Sequence, residues 1–512
     1  MKTARASLTH EAANQLRIRR LGIDTYQEAV LYMHKDCPVC KSEGFEAQSR
    51  IEMILGERRV IATLNVVSSS LLLAIDEVGL SETAWRALGG CEGDTVLLQH
   101  PDPVRSFSAV RAKIYGGKLS EQDATEIISD IVQGKYSDIH LAAFVSACAD
   151  DRLDLQETIA LTRAMLNAGS RLQWGKSPVV DKHCVGGLPG NRTTPIVVAI
   201  AAACGLTIPK TSSRAITSPA GTADAMETMA PIDLELAQIR RVVAQEGGCI
   251  AWGGAVSLSP ADDLLIRVER PLDLDSNGQL VASVISKKVA AGSTHALIDI
   301  PVGPTAKVRS QEAAAALSAT LVAVGKALGI EVRTLITDGS QPVGRGIGPA
   351  LEARDVLAVL QNQEGAPGDL RQRALLLSGH LLEMGGKAAT GAGLSLAENT
   401  LASGAAWRKF QAICAAQGGM RTPPVAEHTA EILAQHSGIV VEVDNRRLAR
   451  IAKLAGAPKA SAAGLTFHVP LGTVVEAGQA LFTIHAESPG ELAYARQYAE
   501  GQSEVVSIKE KA

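Results

Sequence analysis

The sequence predicts a multidomain α/β protein, in which an α-helical lobe and a mainly parallel α/β domain flank a cleft. The chain has 512 residues, which is too many for a single hydrophobic core. Short apolar segments alternate with helical patterns from residue 179 to residue 338, as in a parallel sheet. Patterns typical of β-strands stand before and after this central part. A β-rich N-terminal domain and an α+β C-terminal domain are therefore expected as well.

The N-terminal domain is predicted over residues 1–104. Runs of β-branched and apolar residues, such as residues 60–64 and 95–98, are separated there by turn residues. Two prolines within residues 101–104 predict a linker. This part of the sequence contains no cluster of catalytic residue types. We therefore expect it to serve assembly, in a homodimer or a larger homo-oligomer.

Helical patterns begin after this linker. Ser120, Ser137 and Asp154 each precede such a pattern, and their side chains can cap the helix that follows. These three helices predict an α lobe over residues 105–178, with a return segment at about residues 262–292.

The α/β domain is predicted over residues 179–430 and the C-terminal domain over residues 431–512. The alanine-rich segment at residues 310–328 is apolar on more than one side, which predicts a buried helix. The predicted strands of the α/β domain are residues 179–180, 206–208, 250–252 and 332–336.

Charge and composition exclude several classes of partner. A net charge of −4 argues against nucleic acid or an anionic membrane as the main partner. The longest apolar run, residues 196–206, is too short to span a bilayer. The first 20 residues have no apolar core of a signal peptide, so a cytoplasmic protein is expected. Cys37 and Cys40 lack the second ligand pair that structural zinc needs, so no metal site is predicted.

Residues 181–227 combine charged, glycine-rich and hydroxyl-rich segments. Asp181, Lys182 and His183 stand before a glycine-rich loop, and the apolar run at residues 196–206 leads to a segment rich in Ser and Thr. Glycines let backbone N–H groups close around an anion, and hydroxyls with a nearby Lys or Arg supply further donors. Two such loops, joined by one buried helix, would meet at the same end of a sheet. This arrangement predicts a phosphate site.

Lys182 and His183 are the catalytic candidates of this stretch. A flexible ammonium directly before a glycine loop suits a phosphate dianion, and His183 is the predicted titrating group of the cleft. The loop matches neither the P-loop nor the dinucleotide fingerprint, because it contains neither Gly-Lys-Ser/Thr nor G-x-G-x-x-G.

These residues carry a resemblance to a known family. The Asp-Lys-His triplet before twin glycines, the pair Thr193-Thr194 and the Ser-Arg/Gly-Thr/Asp/Glu series at residues 212–227 resemble the thymidine and pyrimidine nucleoside phosphorylases. The most similar branch is the longer one, which includes AMP phosphorylases and proteins provisionally named thymidine phosphorylases. The resemblance runs from about Lys118 to the C-terminus and is most specific in residues 182–222.

The resemblance implies phosphorolysis, in which thymidine and phosphate give thymine and 2-deoxyribose 1-phosphate. Phosphate then attacks an anomeric carbon with oxocarbenium character while the base departs. The departing base needs a proton or a hydrogen-bond donor. Inorganic phosphate is the co-substrate, and no metal or organic cofactor is expected.

The resemblance also implies which residues act. Asp275 is the implied proton donor, and its neighbour Asp273 could raise its pKa, although the two could equally build a turn. Arg214 is the fixed cation of the substrate segment, unless it pairs with Asp224 or Glu227. The residues implied to bind phosphate or substrate are Gly187, Thr194, Ser212, Ser213, Arg214, Ala215, Ile216, Thr217, Ser218, Thr222, Ser283, Lys287 and Lys307.

The chain also departs from the family pattern. Cys184 stands where the family usually has a Ser that binds phosphate, and a thiol is the weaker donor. Residues 218–220 replace a His-Thr-Gly of the shorter enzymes. Three alternatives to thymidine phosphorolysis therefore remain: an AMP phosphorylase, a phosphoribosyltransferase and a non-catalytic, nucleotide-sensing assembly protein. The second is disfavoured because residues 185–194 contain no carboxylate that could hold Mg²⁺.

Overall fold

The computed structural model describes residues 14–215, 218–256, 258–272, 274, 276–502 and 505–510. The chain divides into two compact units, residues 1–148 and residues 149–512. No helix in the described ranges combines the length and the apolar character that crossing a bilayer requires. The domain limits predicted at residues 104, 178 and 430 remain predictions.

The first unit contains a closed β-barrel. Its strands follow each other around the barrel in the order β1-β5-β2-β4-β3-β6. Apolar residues alternate with polar ones, as in β1, where Leu16 and Ile18 are buried and Arg17 is exposed. The strands are β1 (Gln15–Arg20), β2 (Val30–His34), β3 (Arg50–Leu55), β4 (Arg58–Val67), β5 (Glu77–Leu80) and β6 (Thr95–Gln99).

Helices complete the first unit. Ser120 and Asp123 form a capping box at the start of one helix, and Ser137 caps another, so the predicted helix starts are confirmed. The helices are α1 (Pro38–Glu43), α2 (Glu82–Leu88), α3 (Phe107–Ile114), α4 (Glu121–Val132) and α5 (Asp138–Ala147).

The second unit is built on a parallel sheet. Its strands are β7 (Val180–Cys184), β8 (Ile208–Ser212), β9 (Gly248–Trp252), β10 (His295–Val302) and β11 (Glu331–Asp338). One part of the sheet has the strand order β11-β10-β7, and in the other part β8 pairs with β9. The Val180 N–H donates to the carbonyl of Thr207 at 2.9 Å and joins the two parts. The carboxyl ends of all five strands therefore lie at one edge.

Several strand predictions differ from the structure. Strand β7 runs from Val180 to Cys184, beyond the predicted residues 179–180. The central strand β10 was missed, because its Pro301 is atypical of a central strand. Strand β8 begins at Ile208 and extends over Lys210 to Ser212, beyond the predicted residues 206–208. Its polar end is accommodated because Lys210 is buried in an ion pair.

Helices cover the sheet. Asp154 and Glu157 form the capping box of the helix at residues 155–167, as expected for this helix start. The predicted burial of the alanine-rich helix is wrong, because only one face is buried and the alanines of the other face are exposed. The helices are α6 (Leu155–Asn167), α7 (Thr193–Ala203), α8 (Thr222–Glu227), α9 (Leu236–Glu246), α10 (Pro260–Leu272), α11 (Asn277–Ala290), α12 (Gln311–Ala327), α13 (Pro349–Leu360), α14 (Gly368–Met384), α15 (Gly393–Ala402) and α16 (Ala405–Gln417), and Gly253–Val256 form a 3₁₀ turn.

The C-terminal part contains two small antiparallel sheets. Their strand orders are β12-β15-β17-β13 and β16-β14-β18. Asn445 connects this part to the parallel sheet, since its Nδ2 donates to the carbonyl of Gly339 at 3.0 Å. The elements are β12 (Gly346–Ile347), β13 (His428–Leu433), β14 (Gly438–Val443), α17 (Asn445–Leu454), β15 (Gly464–Phe467), β16 (Val474–Val475), β17 (Ala480–Ala486), α18 (Pro489–Glu500) and β18 (Val506–Lys509).

Candidate active site

Lys182 is buried in the middle of β7. Its side chain is 1% exposed, and its Nζ donates to the Thr193 hydroxyl at 2.7 Å, at the start of α7. No carboxylate of the described residues lies within ion-pair distance of this ammonium. Burial lowers the pKa of Lys182, and the charge of Asp299 opposes this effect. An unpaired ammonium held in this way can bind an anion. Thr194, implied by the resemblance, is buried beside Thr193.

The glycine loop after Lys182 approaches Lys307. Gly186, Gly187 and Gly190 all have positive φ angles, of 91°, 79° and 69°. A Cβ at Gly187 would overlap the backbone nitrogen of Lys307, so only glycine allows this approach. The structure thus brings together two of the predicted binding residues, and the side chain of Lys307 is exposed.

Cys184 lies in a polar environment at the end of β7. The amide Nδ2 of Asn191 lies 3.4 Å from both the Cys184 sulfur and an Asp299 carboxylate oxygen. Burial and, secondarily, Asp299 raise the pKa of Cys184 to about 11. Cys184 is therefore a neutral thiol at pH 7. The Oδ1 of Asn191 is buried and accepts no hydrogen bond from the described residues.

A buried ion cluster lies below this loop. The carboxylate of Asp181 contacts Nζ of Lys210 on β8 at 3.2 Å and Nζ of Lys288 on α11 at 3.0 Å. All three side chains are at most 4% exposed. The cluster therefore ties two strands of the sheet to a helix of the predicted return segment. The pairing of these lysines with Asp181 was not predicted.

The stability of the native state should depend on pH through Lys288. Burial lowers the pKa of Lys288 from the ordinary 10.5 to about 7, against the attraction of Asp181. Between these values the unfolded chain binds the proton that the native state lacks, so stability rises with pH in this window. Relative to a Lys288→Met variant, the wild type should gain up to about 1.4 kcal/mol per pH unit from pH 7 upwards. Urea unfolding of both proteins at pH 7, 8 and 9 measures this, and a constant difference would contradict it.

His183 does not titrate near neutral pH. Burial lowers its pKa well below the ordinary 6.5, and the charges of Lys288, Lys210, Lys287 and Lys182 lower it further. The expectation of a titrating histidine is therefore corrected: at pH 7 the imidazole is neutral. It can orient a substrate by a hydrogen bond, but it carries no positive charge.

The hydroxyl-rich segment is held by Arg192, whose contacts with this segment were not predicted. Its Nε donates to a Glu352 carboxylate at 2.7 Å, its Nη1 to the Thr222 hydroxyl at 2.7 Å and its Nη2 to the carbonyl of Ala220 at 2.9 Å. The two donor-rich loops are thus fixed to each other by one guanidinium. Ser218 also belongs to this turn, since its hydroxyl donates to the carbonyl of Ala220 at 3.0 Å.

Arg214 is paired within the protein and is not a free cation. Its guanidinium forms a two-pronged ion pair with Glu227, with the longer contact at 3.1 Å. It also stacks over Trp252, 5.1 Å from the ring centroid. The prediction that Arg214 supplies free charge to the substrate is therefore corrected in favour of its structural alternative. Asp224 accepts the backbone N–H groups of Ala215 and Gly221 at 2.7 and 2.8 Å and shapes this segment.

The remaining predicted residues fall in three groups. Ser212 ends β8 and Ser213 follows it, at the carboxyl edge of the sheet. Ser283 and Lys287 are both half-buried on α11, one turn apart, but Lys287 forms an ion pair with Asp262 at 2.8 Å. The third group, Asp275, Ile216 and Thr217, lies outside the described residues.

A carboxyl group with a raised pKa lies near Lys287. Burial and the charge of Asp262 raise the pKa of Glu269 to about 7, while Lys307 and Lys287 oppose this shift. Glu269 can therefore hold a proton at neutral pH. The burial and the neighbouring charges that shift this pKa arise only in the folded chain, so the sequence offered no signal for Glu269.

Comparison with known proteins identifies the family. The chain is 65% identical to a Polaromonas sp. protein provisionally named a thymidine phosphorylase, over 100% of both chains. The chain belongs to the pyrimidine nucleoside phosphorylase family. Relatives of this phosphorylase with the same provisional name, from Acidovorax sp. and Legionella pneumophila, are 60% and 57% identical, over 99% and 98% of this chain and 98% and 97% of their own.

Three domain models match the phosphorylase. These are the helical bundle domain of a glycosyl transferase family at residues 108–169, the a/b domain of that family at residues 176–407, and the pyrimidine nucleoside phosphorylase C-terminal domain at residues 439–505. The chain is thus a pentosyltransferase of the nucleoside phosphorylase type, which acts on small molecules with phosphate.

A solved structure shares part of this fold. The anthranilate phosphoribosyltransferase of Thermus thermophilus superposes with a TM-score of 0.51 and 21% identity, over 60% of the phosphorylase and 99% of that chain. At this identity the likeness concerns the fold alone.

Proposed function

We propose that this phosphorylase cleaves thymidine with inorganic phosphate, releasing thymine and 2-deoxyribose 1-phosphate. The observation that carries the proposal is the buried ammonium of Lys182, which faces no carboxylate of the described residues at the start of a glycine loop. Thymidine is proposed as the substrate because the relatives are provisionally named thymidine phosphorylases.

In the proposed reaction Lys182 and the N–H groups of the glycine loop hold the attacking phosphate. Positive character develops on the sugar as the glycosidic bond breaks, and the bound dianion stabilises it. Lys307, which lies against Gly187, and Ser283 on α11 bind the nucleoside. Asp275 gives a proton to the departing base. Phosphate is the co-substrate, and the reaction as proposed uses no metal or organic cofactor.

One observation favours a second candidate, the phosphorolysis of AMP to adenine and ribose 1,5-bisphosphate. The exposed ammonium of Lys307 lies beside the glycine loop and could bind the 5′-phosphate of a nucleotide. For either substrate we propose a cytoplasmic homo-oligomer.

The substrate and the phosphate requirement can be measured together. The purified protein is incubated with thymidine, uridine, AMP, CMP or UMP, with and without phosphate, and the free base is quantified. Thymidine should be cleaved only with phosphate, EDTA should have no effect, and arsenate should replace phosphate and yield free sugar. If AMP is the only substrate cleaved, with release of adenine in the presence of phosphate, the second candidate is favoured. Loss of activity with EDTA would contradict the proposed reaction.

A further inference from the structure

Some of the basic side chains around Lys182 and His183 pair with a carboxylate, and others do not. Those whose charges act on Lys182 or His183 are Arg192, Lys210, Lys287, Lys288 and Arg373. Arg192 pairs with Glu352, Lys287 with Asp262, and both Lys210 and Lys288 with Asp181. Among the described residues, Arg373 has no ion pair, as Lys182 has none.

Arg373 lies at the carboxyl edge of the sheet. It belongs to α14, and its Nη2 donates to the carbonyl of Asp338, the last residue of β11. Its Nη1 is buried and has no hydrogen-bond partner in the described part of the chain. The charge of Arg373 lowers the pKa values of both Lys182 and Cys184. The guanidinium therefore lies close to the phosphate loop. Its Nη2 is fixed by a hydrogen bond, and its Nη1 is a donor without a partner in the described part of the chain.

We infer that Arg373 is a second phosphate-binding residue, which binds the same anion as Lys182. This inference rests on the proposed function and adds a residue that the sequence did not reveal. A phosphate dianion between the two side chains would compensate both unpaired charges. It would also accept a hydrogen bond from the buried Nη1–H of Arg373. Hydrogen bonds between charged partners are the stronger ones, and a buried donor without a partner is costly.

The thiol of Cys184 explains why a second cation is useful here. Cys184 is protonated at pH 7 and is a weak donor, so it contributes little to holding a dianion. Arg373, fixed through Asp338, supplies the missing donor. The alternative is that Arg373 only supports the loop after β11. In that case its replacement would lower the thermal stability but would leave the affinity for phosphate unchanged.

The test compares Arg373→Gln with Arg371→Gln. Arg371 lies two residues earlier on α14, and its guanidinium donates to the Oδ1 of Asn362 at 2.8 Å. Inorganic phosphate is titrated at constant ionic strength, and its affinity is obtained from the increase in melting temperature. We expect Arg373→Gln to weaken phosphate binding about 10- to 100-fold and Arg371→Gln to change it less than about twofold. In turnover, the KM for phosphate should rise while the KM for the nucleoside stays constant.

Further variants keep the result clear. If Arg373→Gln does not fold, Arg373→Lys can be used, because it keeps the charge but lacks the planar guanidinium that donates through two nitrogens. It should still weaken phosphate binding severalfold. Adding Cys184→Ser to either variant should recover part of the affinity, because a hydroxyl is the better donor. The inference would be overturned if the Arg373 variants bound phosphate as tightly as the wild type. It would also be overturned if they bound AMP more weakly and phosphate unchanged. Because the titration needs no nucleoside, weakened phosphate binding without phosphorolysis would leave the Arg373 site standing and refute only the proposed reaction.

Discussion

Replacing Lys182 by alanine should slow phosphorolysis about 10²- to 10³-fold, because a charge-assisted contact in a water-poor site is worth roughly 2–4 kcal/mol in the transition state. Lys182 is 1% exposed, and its ammonium donates to the Thr193 hydroxyl at 2.7 Å, so the charge lies in a buried position. The KM for phosphate should rise more than the KM for the nucleoside. Initial rates at varied concentrations of each substrate measure both constants.

Two further variants test whether the effect is specific. Lys182→Arg should not restore the rate, because a planar guanidinium does not fit the buried position of a compact ammonium. Lys326→Ala removes an exposed lysine at the end of α12 and should leave the rate unchanged. If Lys182→Ala leaves the KM for phosphate constant and raises that for the nucleoside, Lys182 belongs to the base side of the site.

The elements that depend on local signals could be predicted from the sequence. Ser120 and Asp154 start helices because their side chains bond to backbone N–H groups three residues ahead, which is a short-range effect. The helix after the glycine loop followed from its unbroken apolar run. Strand β10 was missed because Pro301 is atypical of a central strand. The contribution of Asp299, which lies on this strand, was missed with it.

The charged contacts of the site could not be predicted in the same way. Arg373 contacts Asp338 across 35 residues of sequence, and Arg192 contacts Glu352 across 160. Such pairs form only when distant segments pack, and nothing in either neighbourhood specifies the partner. For Arg214 the sequence offered a substrate role and a structural role, and the packing of Glu227 and Trp252 against it favours the second.

Asp181→Asn should destabilise the unit of residues 149–512 by about 3–5 kcal/mol at pH 7, because it removes the counter-charge of two buried lysines. Lys210 and Lys288 are each only 4% exposed, so water cannot replace the carboxylate. Glu500→Gln removes the exposed partner of Arg496 on α18 and is the matched control, with an expected loss of about 0.3–0.5 kcal/mol. Urea unfolding followed by tryptophan fluorescence compares the variants.

The cost of Asp181→Asn should itself depend on pH. Without the carboxylate the pKa of Lys288 falls below its already lowered value of about 7, so at pH 9 this lysine is neutral with or without Asp181. The loss at pH 9 should therefore be smaller than at pH 7. Adding Lys210→Met and Lys288→Met to the variant should restore much of the stability, because no buried charge then remains. A loss below about 1 kcal/mol at pH 7, as for a surface pair, would mean that the cluster is solvated and does not hold the sheet to α11.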